Sequence, residues 1–220
     1  MGEIRDFAVG RGITEILHFT TNKGLTGCLH TNALLSRHRL KDEDSLVHIL
    51  TLNSKFRKEE ESTFNQHENW IDYVNLSVSE ITTNLFRASL RWHAGKDLFW
   101  VIMAFDPAIL DDEGVYFSTT NNIYSGTQRQ KGLAGFKALF AASVSRWWNN
   151  TVLRKDRPDH LTTCEQAEVL YPGQIDMRNL KRVYVADGDL ADRIAAYLGT
   201  YNRADVEVVV APAKFEGQGN

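Results

Sequence analysis

Glu168 follows Gln166 by two residues in the segment Glu165-Gln166-Ala167-Glu168-Val169-Leu170-Tyr171, which closes on Pro172-Gly173. Read as a strand over 165–171, its alternation puts Gln166 and Glu168 on one face and Ala167 and Val169 on the other. A polar pair on one face, with apolar residues facing the other way, is a usable site. The same pattern also describes a solvent-facing edge strand with two polar residues. Glu165 points with Ala167 and is the weaker candidate.

Three further groups carry chemistry by residue type. His18, in Leu17-His18-Phe19-Thr20, lies near the end of a strand and suits a contact to a ribose or an amide; it also reads as a satisfied core histidine. Arg57, in a charge-rich stretch, offers a planar fork that suits pyrophosphate oxygens, or is a solvated charge. Ser118-Thr119-Thr120-Asn121-Asn122 offers hydroxyls and amides for lining a pocket, or ordinary turn chemistry.

Rival chemistries lack their motifs. The chain has no GxGxxG and no GxxxxGK[ST], so neither a Rossmann dinucleotide site nor a P-loop is expected. It has no HExxH or spaced His/Cys set for zinc and no GxSxG for an esterase. Asp111-Asp112-Glu113, Asp187 and Asp189 read as turn and helix caps rather than cation ligands. No metal is expected.

The elements that must position these residues follow from periodicity. Residues 13–20 read as a strand and 21–35 as a short helix capped by Thr21 or Asn22. Residues 36–69 are polar and charge-rich and read as a loop or short helix. An extended segment is expected at 70–76, a helix at 77–94 and an apolar strand at 98–105, stopped by Asp106-Pro107. Residues 114–120 alternate as a strand, 131–147 read as a helix, and 149–164 as a basic loop carrying Arg154, Lys155, Arg157 and His160 beside Trp147-Trp148. The tryptophans read either as bases' stacking partners or as helix core. Strands at 165–171, 181–186 and 206–210 and a helix at 190–199 complete an α+β chain, with a disordered end from Lys214.

The bulk numbers agree with one globular domain. The 220 residues are 43% hydrophobic and 24% charged, with net charge −3. That balance gives no overall attraction to nucleic acid, but a local basic patch suffices. The distant cysteines Cys28 and Cys164 argue against a disulfide framework and fit a reducing, cytoplasmic setting. No segment reaches the ~18 apolar residues of a membrane helix, and the first residues lack the apolar core of a signal peptide.

In order along the chain stand a strand with His18, a loop arginine, Trp70-Ile71-Asp72-Tyr73-Val74-Asn75-Leu76, Val115-Tyr116-Phe117-Ser118-Thr119-Thr120-Asn121, and Gln166-Ala167-Glu168-Val169-Leu170-Tyr171-Pro172. This ordered set resembles the DarT family of DNA ADP-ribosyltransferase toxins over roughly residues 13–186. Asn75-Leu76-Ser77 after Asp-Tyr-Val is closer to the guanine-modifying branch. The thymine branch tends to continue Pro-Phe-Tyr-Phe there.

The resemblance implies an ADP-ribosyltransferase fold of two packed, mainly antiparallel sheets with a central NAD cleft. It implies NAD as co-substrate, single-stranded DNA as acceptor, and a cognate antitoxin of ADP-ribosylglycohydrolase type; RNA or protein is the alternative acceptor. Carried over, Glu168 is the catalytic carboxylate and Arg57 the functional arginine, with Arg37, Arg39 or Lys55 as other matches across a variable region. Under the same resemblance, His18, Thr20, Asn22, Tyr73 and Ser118 are expected at NAD, beneath a covering region at 36–69. Gln166, Arg154, Lys155, Arg157 and His160 are expected at the acceptor.

Overall fold

The computed structural model describes residues 2–40, 70–124, 126–147 and 150–218. The apolar run of β4 (Trp100–Phe105) is buried on both faces, as an unbroken apolar strand requires. Val101, Met103 and Phe105 enter one core while Ile102 and Ala104 enter a second on the opposite side. β1 (Ile16–Thr21) runs antiparallel to β4 along its whole length, from Ile16 opposite Phe105 to Thr21 opposite Trp100.

On its other edge β1 meets β3 (Tyr73–Val78) at two rungs, Ile16 opposite Val78 and Leu17 opposite Ser77. Beyond Leu17 the two strands part. Those rungs join what the family resemblance implies as two sheets into one eight-stranded sheet that is nearly cut in half. The first half holds β1, β4, β11 (Leu180–Val185) and β12 (Glu207–Val210). The second holds β3, β9 (Glu168–Pro172), β5 (Tyr116–Ser118) and β6 (Arg129–Lys131).

Helices cover the split sheet. α1 (Glu3–Gly10) is held at its start by Asp111, whose carboxylate accepts from the N–H groups of Ile4 and Arg5. α2 (Asn22–Thr31) follows β1 directly; the Thr21 hydroxyl accepts from Gly24 N–H at 3.1 Å, and Asn32 ends the helix in the left-handed region. β2 (Ala33–Leu35) then pairs with β10 (Gln174–Asp176). α3 (Thr83–Trp92) backs the second core, where Phe86 meets Phe19 and Trp100 edge-on. α5 (Gly188–Thr200), capped by Asp187, crosses between the parallel strands β11 and β12.

Three expectations change. The helix expected over 131–147 is only α4 (Gly132–Ala138). Ser143-Val144-Ser145, whose single apolar residue also fits a helical stripe, is β7 (Ser143–Ser145), paired with β8 (Thr151–Leu153). The helix expected from 77 begins at Thr83, because β3 continues to Val78. Residues 214–218 are docked rather than loose: Lys214 pairs with Glu15, Phe215 packs on Phe86, and Gln218 N–H donates to Glu80 at 2.9 Å.

Candidate active site

The parting of β1 and β3 opens a cleft of about 580 Å³ that reaches both faces of the sheet. That volume is ordinary for a small-molecule site. Leu17, His18, Phe19 and Thr20 form one wall, Tyr73 to Ser77 the other, and Glu168 lies along it. Thr20 approaches α2 closely: a Cβ at Gly24 would stand 2.1 Å from the Thr20 hydroxyl, so only glycine fits there. His18 Nδ1 lies 3.0 Å from the Asn75 carbonyl oxygen. A carbonyl only accepts, so Nδ1 carries the proton and the ring is fixed across the gap.

Glu168 is the first residue of β9 and is 6% exposed. Its Oε2 accepts from Asn122 N–H at 2.7 Å, anchoring the carboxylate at the cleft edge. β9 pairs with β3 at Leu76 opposite Val169, so the pocket wall and the carboxylate share one rigid ladder.

Arg37 reaches the cleft from a short 3-10 turn, Arg37–Arg39. Asp72 fixes that turn: its carboxylate accepts from Ser36 Oγ at 2.6 Å and pairs with Arg39 at 3.0 Å. Burial pushes the Asp72 carboxyl up, but hydrogen bonds from Arg39 and Ser36 outweigh it and leave it below its ordinary range. Tyr73 lines the cleft next to Asp72 and packs in a ring cluster with Trp70 and Tyr116.

A family model described as "ssDNA thymidine ADP-ribosyltransferase, DarT" matches residues 17–216. This chain belongs to the DarT family. Members are NAD-dependent ADP-ribosyltransferases acting on single-stranded DNA. Among solved structures, Thermus sp. 2.9 DarT in complex with ADP-ribosylated ssDNA aligns at TM-score 0.65 and 16% identity, over 92% of this chain and 96% of that one. The same Thermus protein with carba-NAD+ aligns at 0.62 and 14% identity, over 91% and 97%. Thermosipho africanus DarTG in complex with ADP-ribose aligns at 0.60 and 17% identity, over 94% of this chain and 52% of that one. At these identities the likeness is one of fold. No curated protein matches.

Against the DarT expectation, the cleft gathers His18, Thr20, Tyr73 and Glu168. Arg57 and Lys55 lie outside the described residues. Of the two other arginines, Arg37 lines the cleft and Arg39 is turned to Asp72. Asn22 and Ser118 do not line it. The Asn22 side chain caps Phe99 N–H at 3.1 Å, and the buried Ser118 hydroxyl is bonded to Thr120 O and to Thr127.

The strand expected at 165–171 begins only at Glu168, so Gln166 and Glu168 do not share a face through strand alternation. A turn, closed by Ala167 N–H to Cys164 O at 3.0 Å, precedes the strand. Within it Gln166 accepts from Arg146 Nε at 3.1 Å, and Glu165 accepts from Asn84 at 2.8 Å.

Arg154 and Arg157 are also corrected. Arg154 donates to the carbonyls of Leu161 and Pro158, and Arg157 pairs with the buried Glu80 and donates to Thr162 O and Gln218 O. Their guanidiniums are engaged within the fold, tying the basic loop to itself, to Glu80 and to Gln218. Lys155 remains exposed, with φ 47°, and His160 is half-buried. Asn122, in the stretch expected to offer pocket-lining amides, meets the carboxylate, and two residues that spacing did not mark lie beside it: Arg129, bonded to Asn122, and Tyr124, whose ring stacks on Trp147 at 6.0 Å. An arginine on a short edge strand carries no signal of its own.

Proposed function

We propose that this chain transfers ADP-ribose from NAD to a guanine base in single-stranded DNA, with Glu168 as the catalytic carboxylate. One observation carries the reading: a buried, anchored carboxylate on a cleft whose opposite wall presents His18 and Thr20. The bond from ribose C1′ to nicotinamide breaks through an oxocarbenium-like state, and its electron pair leaves with nicotinamide. Glu168 stabilises the positive charge that develops, an effect worth on the order of 3 kcal/mol. The base nitrogen then attacks C1′, and its proton passes to Glu168 or water. His18 holds the ribose or nicotinamide end. Arg37, and Arg57 from the region at 36–69, hold the pyrophosphate.

The β7–β8 hairpin supports a single-stranded acceptor. Trp147 is 47% exposed at its tip and stacks nearly parallel to Tyr124. Arg146, its neighbour, ties the hairpin to Gln166, two residues before Glu168. Unpaired bases stack on such aromatic surfaces, and a base already out of a duplex exposes its edge to attack. Lys155 and His160, in the loop that follows β8, serve the phosphates.

Guanine is supported by Asn75-Leu76-Ser77 on the cleft wall, the point where the sequence leaves the thymine-branch pattern. Thymidine is the second reading, because the matching family model is described by that base. Incubation with NAD and DNA oligonucleotides each lacking one base, beside matched RNA, followed by mass analysis, separates them. Labelling only of guanine-containing DNA supports the proposal. Labelling that persists without guanine, or prefers RNA, rejects it.

The modification blocks replication, which makes the chain the toxin of a pair acting in the cytoplasm. Its partner is an antitoxin of ADP-ribosylglycohydrolase type that removes the ADP-ribose. Support comes from the Thermosipho DarTG chain, of which this chain spans about half. Two unpaired buried cysteines suit a reducing compartment. Among the described residues no helix is long and apolar enough to cross a membrane, and no group of His, Cys, Asp and Glu is arranged to hold a metal.

A further inference from the structure

We infer that Arg129 is a positioning residue for Glu168, acting through Asn122. The inference rests on reading Glu168 as the catalytic carboxylate. Arg129 on β6 stands opposite Ser118 on β5, and Ser118 stands opposite Glu168 on β9. Directly paired residues of antiparallel strands project to the same face, so the three form one row across the sheet.

The connection from β5 to β6 folds back over this row. Ser118 Oγ holds Thr120 O at 2.8 Å and lies 2.9 Å from the Thr127 hydroxyl, closing the loop at both ends. Arg129 then grips Asn122 twice, with Nε donating to the side-chain Oδ1 and Nη2 to the backbone O at 2.6 Å. A planar fork that holds the side-chain and backbone oxygens of one residue restrains that residue's side-chain and backbone torsions, and with them the direction of its N–H. Asn122 is 2% exposed, and its N–H is aimed at Glu168 Oε2. The guanidinium is steadied in turn by the Trp70 ring, 5.2 Å from its centroid.

Charge stabilisation of a transition state depends on a carboxylate already set in place before the charge appears. Asn122 supplies the hydrogen bond, and Arg129 is the side chain that restrains both oxygens of Asn122 within the ten-residue connection between β5 and β6. Lysine at 129 keeps the positive charge and loses the fork, so the two contributions separate.

The test measures kcat and KM for NAD in oligonucleotide labelling by wild type, Arg129→Lys, Asn122→Ala, the double variant and Glu168→Gln, with thermal unfolding as the check of fold. Arg129→Lys and Asn122→Ala are expected to lower kcat about 10- to 100-fold while KM moves by less than about twofold. The double variant is expected to lose no more than the worse single one, because both act through the placement of one residue, Asn122. Folded Arg129→Lys with wild-type kcat, a change confined to KM, or losses that multiply in the double variant each overturn the inference. Glu168→Gln labelling at the wild-type rate rejects the catalytic reading itself. An inactive Glu168→Gln beside a fully active Arg129→Lys rejects the role of Arg129 alone.

Discussion

The imidazole Nδ1 of His18 donates to the carbonyl oxygen of Asn75 across 3.0 Å, just where β1 and β3 cease to share backbone hydrogen bonds. The ring takes the place of a missing rung. It satisfies a strand carbonyl, which is costly to leave unpaired, and keeps the gap at a fixed width. His18→Ala is therefore expected to raise KM for NAD and to lower stability by about 1 kcal/mol. Urea unfolding and initial-rate kinetics check both; a variant with unchanged KM would remove His18 from the NAD site.

Arg157 and Lys155 are neighbours in sequence with opposite duties. The Arg157 side chain is 7% exposed and pairs with the buried Glu80. Arg157→Ala strands that carboxylate and should cost about 3–5 kcal/mol of stability, with DNA affinity of the folded protein little changed. Lys155→Ala should leave stability unchanged and reduce the slope of log affinity against log salt by about 0.7, the value for one phosphate contact to a single strand. Chemical denaturation and salt-dependent oligonucleotide binding measure the two effects.

Trp147 stands on Tyr124 with its outer face open to solvent. Trp147→Ala should weaken oligonucleotide binding by about 1–3 kcal/mol, the value of one stacked base, with KM for NAD unaltered. Binding titrations at fixed salt test it, and equal affinity of variant and wild type would exclude the hairpin tip from the DNA path.

Asp72 makes the docking of the Arg37 turn dependent on acid. Its folded carboxyl titrates below the ordinary range because Ser36 and Arg39 bond its charged form. A depressed carboxyl contributes stability above its unfolded value of about 4, and that contribution disappears as pH falls through the lower folded value. Wild type should therefore lose stability below about pH 4 more steeply than Asp72→Asn, which should be weaker at neutral pH. Denaturation midpoints between pH 2 and 7 give the comparison; parallel curves would contradict it.

What the sequence made legible were features with long periodicity. The all-apolar β4, the helix behind Asp187 and the strands around His18 and Tyr184 emerge within a few residues of their bounds. Glu168 was legible through the ordered company of other motifs, since its own strand pattern placed it wrongly beside Gln166. The turn at 164–167 is closed by one backbone bond and by contacts to Arg146 and Asn84, residues remote in sequence, so alternation had no means of showing it.

Arginines were the least legible residues. Arg154 and Arg157 belong to a dense basic cluster, yet they end on internal carbonyls and on Glu80. Arg129 sits on a three-residue edge strand and turns inward to Asn122. Charge density along a chain records which residues are basic and not which acceptors the fold brings to them.

The central claim is that Glu168 carries the chemistry, and Glu168→Gln tests it most directly because glutamine keeps an acceptor for Asn122 N–H while removing the charge. The measurement is the rate at which purified, folded protein adds ADP-ribose from NAD to a guanine-containing single-stranded oligonucleotide. The account predicts a loss of about 100-fold or more with the unfolding midpoint preserved. A folded Glu168→Gln protein that labels DNA at close to the wild-type rate would contradict it.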